Sequence, residues 1–363
     1  MRFHVRARRG WVCGLILFFC GLGVGQVHAL GPHSPLPGLE LAVEHLCREV
    51  LLGHDPDPDL IAPLIAHVRA HGDAAHGLHK YAEAPGAYQG FAINRPMQPL
   101  LRYLYNPEIP QELIKPFSIR SSVWTTPGSA EEQQRLWADP WPPPRTVVVR
   151  GEQYDRTTAD LSTGGCYGMR LQRVLVFLPD KGALLSVSVQ PEPSEVGTKG
   201  YLVGRDEDSR YVYSDEEGLT RAGLGWVSSR IQTNVSIGVY LDEGKEVRCG
   251  VFQWMRAGWS GLSVIKESHI KDSLVRYRQQ IGAVLHAPGL PAPEELEREF
   301  RTLDAKSDAD LRREAEPALA LYLEQARRDD NRAAIRMLED GYAGLLDRGE
   351  LIGLLMRERL FAP

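Results

Sequence analysis

The chain has no phosphate-binding glycine loop followed by Lys-Ser or Lys-Thr, no Gly-x-Ser-x-Gly elbow, no His-Glu-x-x-His pair and no Cys-x-x-Cys. These absences remove the motif-marked nucleotide hydrolases, α/β-hydrolases, zinc proteases and thiol oxidoreductases. No cofactor-binding pattern is found and no cofactor is expected. Beyond residue 29 there is no run of ~18 apolar residues, so no membrane-spanning helix is expected. Positive charge is in deficit, with 42 Lys and Arg against 47 Asp and Glu and a net charge of −5. An acidic chain lacks the electrostatic footprint of a nucleic-acid binder and is a poor coat for anionic lipid. Cysteine is scarce, at five residues.

The first 29 residues have a distinct pattern. Arg2, Arg6, Arg8 and Arg9 precede an apolar run from Trp11 to Val24, and Val27-His28-Ala29 follows with small residues where a signal peptidase reads. This is the order of a secretory signal, with Leu30 as the first mature residue. Losing the four arginines takes the net charge from −5 to −9. The string Arg8-Arg9-Gly10-Trp11-Val12 resembles a twin-arginine export signal, although the general secretory route also fits. Phe19 before Cys20 is too bulky for a lipoprotein box. The expected address is therefore exported, periplasmic or secreted.

Cys13 and Cys20 leave with such a signal, so Cys47, Cys166 and Cys249 remain in a compartment that permits disulfides. Cys47 lies in the stripe Leu39, Ala42, Val43, Leu46, Val50 of a core-facing helix, where it acts as a small hydrophobe. That leaves Cys166 and Cys249 as the expected bridge.

Apolar content of 43% and charged content of 25% are those of a globular protein. Two proline-rich runs, Asp139–Pro144 and His286–Pro293, divide the chain after the signal. Residues 30–138 read as mostly helical, including a helix after the start signal Asp57-Pro58-Asp59, possible only from Pro63 onward if that proline breaks the first turn. Residues 145–270 read as β. Leu185–Val189 and Val235–Leu241 alternate with period two, and the Asp242–Lys245 turn links the second run to Val247, Cys249 and Val251. Residues 271–363 return to helical spacing, with a start at Ser307-Asp308. The expected fold class is α+β: a central antiparallel β-sandwich or partly closed barrel flanked by N- and C-terminal helical segments.

Three groups of residues carry candidate chemistry. The first is Ser162-Thr163-Gly164-Gly165-Cys166-Tyr167-Gly168, where glycines on both sides present a thiol on a tight turn. The string resembles the Ser-x-Gly-Cys signature of the L,D-transpeptidases, exported enzymes that cross-link peptidoglycan through a cysteine. The resemblance covers about ten residues and implies Cys166 as nucleophile. That family's upstream His-Gly pair is replaced here by Arg150-Gly151, so His269 is the histidine left to serve as base. The second group is His67, His71, His76 and His79. The first two are four apart and share a helix face, a spacing suited to zinc or copper. The third is the aromatic stretch around Trp254, Arg256 and Trp259, with Trp226 nearby, which makes a stacking platform for a peptide or glycan. Strand alternation sends Phe252 and Trp254 to one face and Gln253 and Met255 to the other.

The function expected from these features is non-catalytic binding or scaffolding in the cell envelope, with an envelope protein, peptide or glycan as partner. A Cys166-dependent peptidoglycan-type hydrolase or transpeptidase and a His-cluster metal-binding protein are the alternatives. The intact mass of the protein recovered from an exported fraction is expected to begin at Leu30; a mass that retains Met1–Ala29 overturns the signal reading.

Overall fold

The computed structural model describes residues 38–159, 165–205, 208–218, 220–222, 225–260 and 262–360. The signal expected over residues 1–29 lies outside them. In chain order the elements are α1 (Leu39–Glu44), continued by a π-helical turn (His45–Val50), α2 (Pro58–His71), β1 (Ala75–Tyr81), β2 (Ala84–Ile93), α3 (Met97–Tyr105), α4 (Gln111–Ile114), β3 (Ile119–Trp124) and α5 (Ser129–Gln134). Next come β4 (Val147–Thr157), β5 (Gly165–Cys166), β6 (Gly168–Leu178), β7 (Ala183–Val189), β8 (Thr198–Leu202), β9 (Tyr211–Glu217), β10 (Thr220–Ala222) and β11 (Gly225–Val227). β12 (Arg230–Asp242), β13 (Val247–Trp259) and β14 (Leu262–Ser263) precede α6 (Glu267–His286), α7 (Pro293–Asp304), α8 (Asp308–Arg328), α9 (Arg332–Glu339) and α10 (Arg348–Leu360).

The class is α+β. A nine-stranded sheet runs in the order β1-β2-β13-β12-β7-β6-β4-β3, with β14 on the end of β13; β5-β8-β9 and β10-β11 form two small sheets. Every pairing is antiparallel, and β1 and β3 end the path, so the sheet is open and does not close into a barrel. The expected β12–β13 hairpin forms, with Asp242 opposite Val247. The segment expected to be mostly helical also supplies β1, β2 and β3 to the sheet. The described residues form one compact unit, undivided at either proline-rich run.

Both faces of the sheet are covered, and alternation gives each strand a share in two cores. On one face, Val174, Val187, Ile237 and Phe252 meet Leu46 of the π-helical turn and Leu64 of α2. On the other, Leu175, Leu184, Cys249 and Val251 meet α3 and the C-terminal helices through side chains such as Leu100, Leu274 and Leu285. Each such buried side chain is worth ~1.5–3 kcal/mol relative to exposure.

Local chemistry fixes the helix ends. α2 starts at Pro58, earlier than the interior Pro63 suggests, because the Asp57 carboxylate accepts from Asp59 N at 2.9 Å and caps the first turn. Ser307 caps α8 in the same way by accepting from Asp310 N.

β2 needs glycine where the chain leaving α2 crosses it. Gly90 N donates to Ala74 O at 2.9 Å, and a Cβ on Gly90 would lie 1.6 Å from Gly72 O. Gly90→Ala forces main chain from main chain and is expected to cost at least ~1–3 kcal/mol of stability, read from urea denaturation. Wild-type stability in that variant would show that this crossing is not tightly held.

Candidate functional site

The register of the central strands lines up a row of polar side chains, with Ser188 buried and Arg173, Ser236 and Gln253 half-buried. Arg173 on β6 is opposite Ser188 on β7, Ser188 is opposite Ser236 on β12, and Ser236 is opposite Gln253 on β13. All four line a cavity of about 340 Å³ between this face of the sheet and α6, which covers it with Leu274, Tyr277 and Gln280. The size falls in the range of small-molecule sites, roughly 300–1,000 Å³.

The cavity changes character along the strands. On one side of the polar row lie Ser186, Gly238 and Val251, then the tyrosines Tyr105, Tyr240 and Tyr277. On the other side Met169, Leu171, Ile231, Met255 and Ala257 form a mainly apolar end, with Asp155 opposite Met169 and Asn234 Nδ2 donating to the Met169 sulfur at 3.6 Å. Gly238 leaves the floor clear for the Tyr240 ring: a Cβ there would come within 3.1 Å of it.

The lining carries three cations, Lys115, Arg173 and Arg276, against one carboxylate, Asp155. One Arg173 terminal nitrogen donates to Ser186 Oγ at 2.9 Å, and the guanidinium carbon lies 6.0 Å from the Trp124 ring. Its Nε is buried without a partner, and so is Gln280 Oε1. Among the described residues neither Arg173 nor Lys115 is in an ion pair, whereas Asp155 accepts from Gln153 Nε2 at 2.6 Å. Burial, reinforced by the Arg173 charge and partly offset by Asp155, pushes the Lys115 ammonium down to about 8. Unpaired buried donors are costly in a folded protein.

The residues singled out in the sequence lie elsewhere. Cys47, Cys166 and Cys249 are all free and buried, so the expected Cys166–Cys249 bridge is not formed. The two thiols sit in different clusters, Cys166 with Ala159 and Tyr211, and Cys249 in the larger core under α3 and α6. Burial pushes the Cys166 thiol up to about 12, the opposite of nucleophile activation. His269 is exposed near the start of α6, where its Nδ1 accepts from Lys266 N at 3.3 Å. Ser162, Thr163 and Gly164 lie outside the described residues.

Trp254 is not an exposed platform. It is buried with Phe252 in the core under α2, and its Nε1 donates to His79 O at 2.8 Å. Arg256 and Trp259 are half-buried, and the Trp226 side chain lies outside the described residues. The expected split of the strand does hold, with Gln253 and Met255 lining the cavity on the opposite face.

Three of the four histidines do come together. The His67 ring stacks on His71 at 4.1 Å, lies 5.1 Å from His76, and meets Tyr88 edge-on at 4.6 Å. His71 Nδ1 bonds His67 O at 2.9 Å, while His79 is exposed. Among the described residues no group of three or more His, Cys, Asp or Glu is arranged to hold a metal ion, which gives the alternative metal-binding reading no support. His67 is buried with both ring nitrogens unpartnered. Burial, with the neighbouring His71 and His76, pushes it down to about 3, which makes it a neutral aromatic member of the core.

Sequence reasoning missed the cavity residues, because alternation such as Leu184-Leu185-Ser186-Val187-Ser188 reads as a strand with one face in water. The shared phase of the polar positions on β6, β7, β12 and β13 was the available signal. No protein-family model and no curated protein matches the chain. Among solved structures it is similar to the human StarD13 (DLC2) lipid transfer and protein localization domain, with 10% identity over 64% of this chain and 100% of that chain and a TM-score of 0.33. At that score the two architectures correspond only loosely.

His67 binds a proton in the unfolded chain below about 6.5 but resists it when folded, so its contribution to stability is present above that pH and is lost as pH falls toward about 3. His67→Phe is expected to remove part of this acid sensitivity. The check is the denaturant midpoint at pH 7.5 and pH 5: the wild-type loss between them should exceed the variant's, and equal losses would refute the assignment.

Proposed function

We propose that this is an exported, non-catalytic binding protein that takes a small organic ligand into the cavity beneath α6. The observation that carries the binding reading is the row Arg173, Ser188, Ser236, Gln253, aligned across four strands and lining the cavity. A sheet face that served only as core would be apolar there, since buried polar groups without partners cost stability. The export part rests on the order of charge, apolar run and small residues over Met1–Ala29. Non-catalytic action is favoured by the state of Cys166, whose thiol is buried and pushed up to about 12.

The test is a small-molecule screen by thermal denaturation, run in parallel on wild type, Ser236→Trp and Cys166→Ser. Ser236 lines the cavity, and an indole there fills much of it. The expected result is that compounds which raise the wild-type Tm fail to raise that of Ser236→Trp and act undiminished on Cys166→Ser. Shifts that persist in Ser236→Trp would place binding elsewhere. Turnover of a bound compound that is lost in Cys166→Ser would replace the binding reading with the enzyme one.

A further inference from the structure

The chemistry of the lining narrows the ligand class, an inference that rests on the binding reading above. Three cations face one carboxylate in the cavity, and that carboxylate is already held by Gln153. Arg173 is fixed by its bond to Ser186 and by the Trp124 ring, yet its Nε has no acceptor. Lys115 enters from the connector after α4 and has no ion-pair partner among the described residues. A held guanidinium with an unused donor favours a carboxylate or phosphate oxygen, which it can meet with parallel hydrogen bonds. A cation would face the Arg173 charge at short range, and a neutral molecule would leave both positive groups unneutralised.

The apolar end gives the second half of the argument. Met169 is four residues from Arg173 on β6, ~13 Å at ~3.3 Å per residue, and Leu171 lies between them on the same face. Ile231 and Ala257 close that end opposite. The lining is therefore divided lengthwise into a cationic polar middle and a mainly apolar end, where Asp155 and Asn234 flank Met169.

We infer that the cavity binds an organic anion, with its carboxylate or phosphate on Arg173 and Lys115 and its apolar part against Met169, Leu171 and Ile231. Small inorganic anions use only the first half of this lining and are expected to bind far more weakly than a molecule that spans both. The serines of the row, Ser188 and Ser236, are placed to donate to the oxygens that Arg173 leaves free.

Four compounds with one eight-carbon chain and different head groups test this: octanoate, octyl phosphate, octanol and octylamine, titrated calorimetrically into wild type, Arg173→Gln and Lys115→Met. Octanoate or octyl phosphate is expected to bind wild type at least tenfold more tightly than octanol, and octylamine weakest of all; which of the two anions binds more tightly separates a carboxylate site from a phosphate site. Arg173→Gln and Lys115→Met should each weaken the anions at least tenfold and leave octanol unchanged. Lys115→Met removes a buried charge and is expected to fold even if Arg173→Gln does not. Octanol binding as tightly as the anions, or anion binding indifferent to both variants, overturns the inference while leaving the cavity-binding reading intact. If no anion binds but another compound from the thermal screen does so in a Ser236-dependent way, the anion inference alone fails. If neither the series nor the screen yields a cavity ligand, both fail together.

Discussion

A sheet covered on both faces has no side turned to water, and the rest of the structure follows from how the chain meets that constraint. Each central strand must supply two cores with one alternating sequence, and β13 shows it plainly: Phe252 and Trp254 pack under α2, while Cys249 and Val251 pack under the C-terminal helices. Where the second set turns polar, on β6, β7, β12 and β13, the covering helix does not close onto the sheet and a cavity remains. The cavity is thus a property of register: shifting one strand by a residue would turn Arg173 or Ser236 into the opposite, apolar core.

The C-terminal helices are attached by different physics. Arg120 on β3 and Glu350 on α10 form a buried ion pair, with Arg156 close to the same carboxylate and the Arg120 guanidinium 4.3 Å from the Tyr213 ring centre. Beside them Glu112 is buried against Gly353, and burial pushes its carboxyl up to about 8, so it is neutral at neutral pH. Buried pairs add little net stability, but removing one partner is expensive, which makes them effective at rejecting wrong registers. Hydrophobic contact alone would let α10 slide; the Arg120–Glu350 pair selects one seating on the edge of the sheet.

How much of this could be read from the sequence differs by element. The β12–β13 hairpin, the Ser307 cap, the Cys47 helix and the two-faced alternation of residues 252–255 were legible because each is a local pattern with a local cause. β1 and β2 were not, since Ala75–Tyr81 and Ala84–Ile93 contain three glycines, a proline and two histidines, a poor strand composition. β2 becomes a strand through pairing with β13 and β1 through pairing with β2, and the glycines are wanted there: a Cβ on Gly86 would meet the Trp254 ring at 2.3 Å. The site failed for a related reason. Histidine, tryptophan and cysteine drew attention by residue type, yet His67, Trp254 and Cys166 serve the interior, while the serines and arginine that line the cavity resemble ordinary solvent-facing positions until the covering helix is known.

The three described thiols carry a consequence of their own. Among the described residues Cys47, Cys166 and Cys249 are each walled into a different part of the interior, where none forms a disulfide and none is open to an oxidant. The unfolded chain has no such protection. In an oxidising medium it exposes an odd set of thiols that can join one another or a neighbouring molecule, and no such bond belongs to the native fold. Each unfolding event there becomes a ratchet: the chain that opens is captured by its own sulfur chemistry before it can close. The lifetime of the protein in such a medium is then governed by how rarely it opens, a property of the unfolding barrier rather than of the equilibrium.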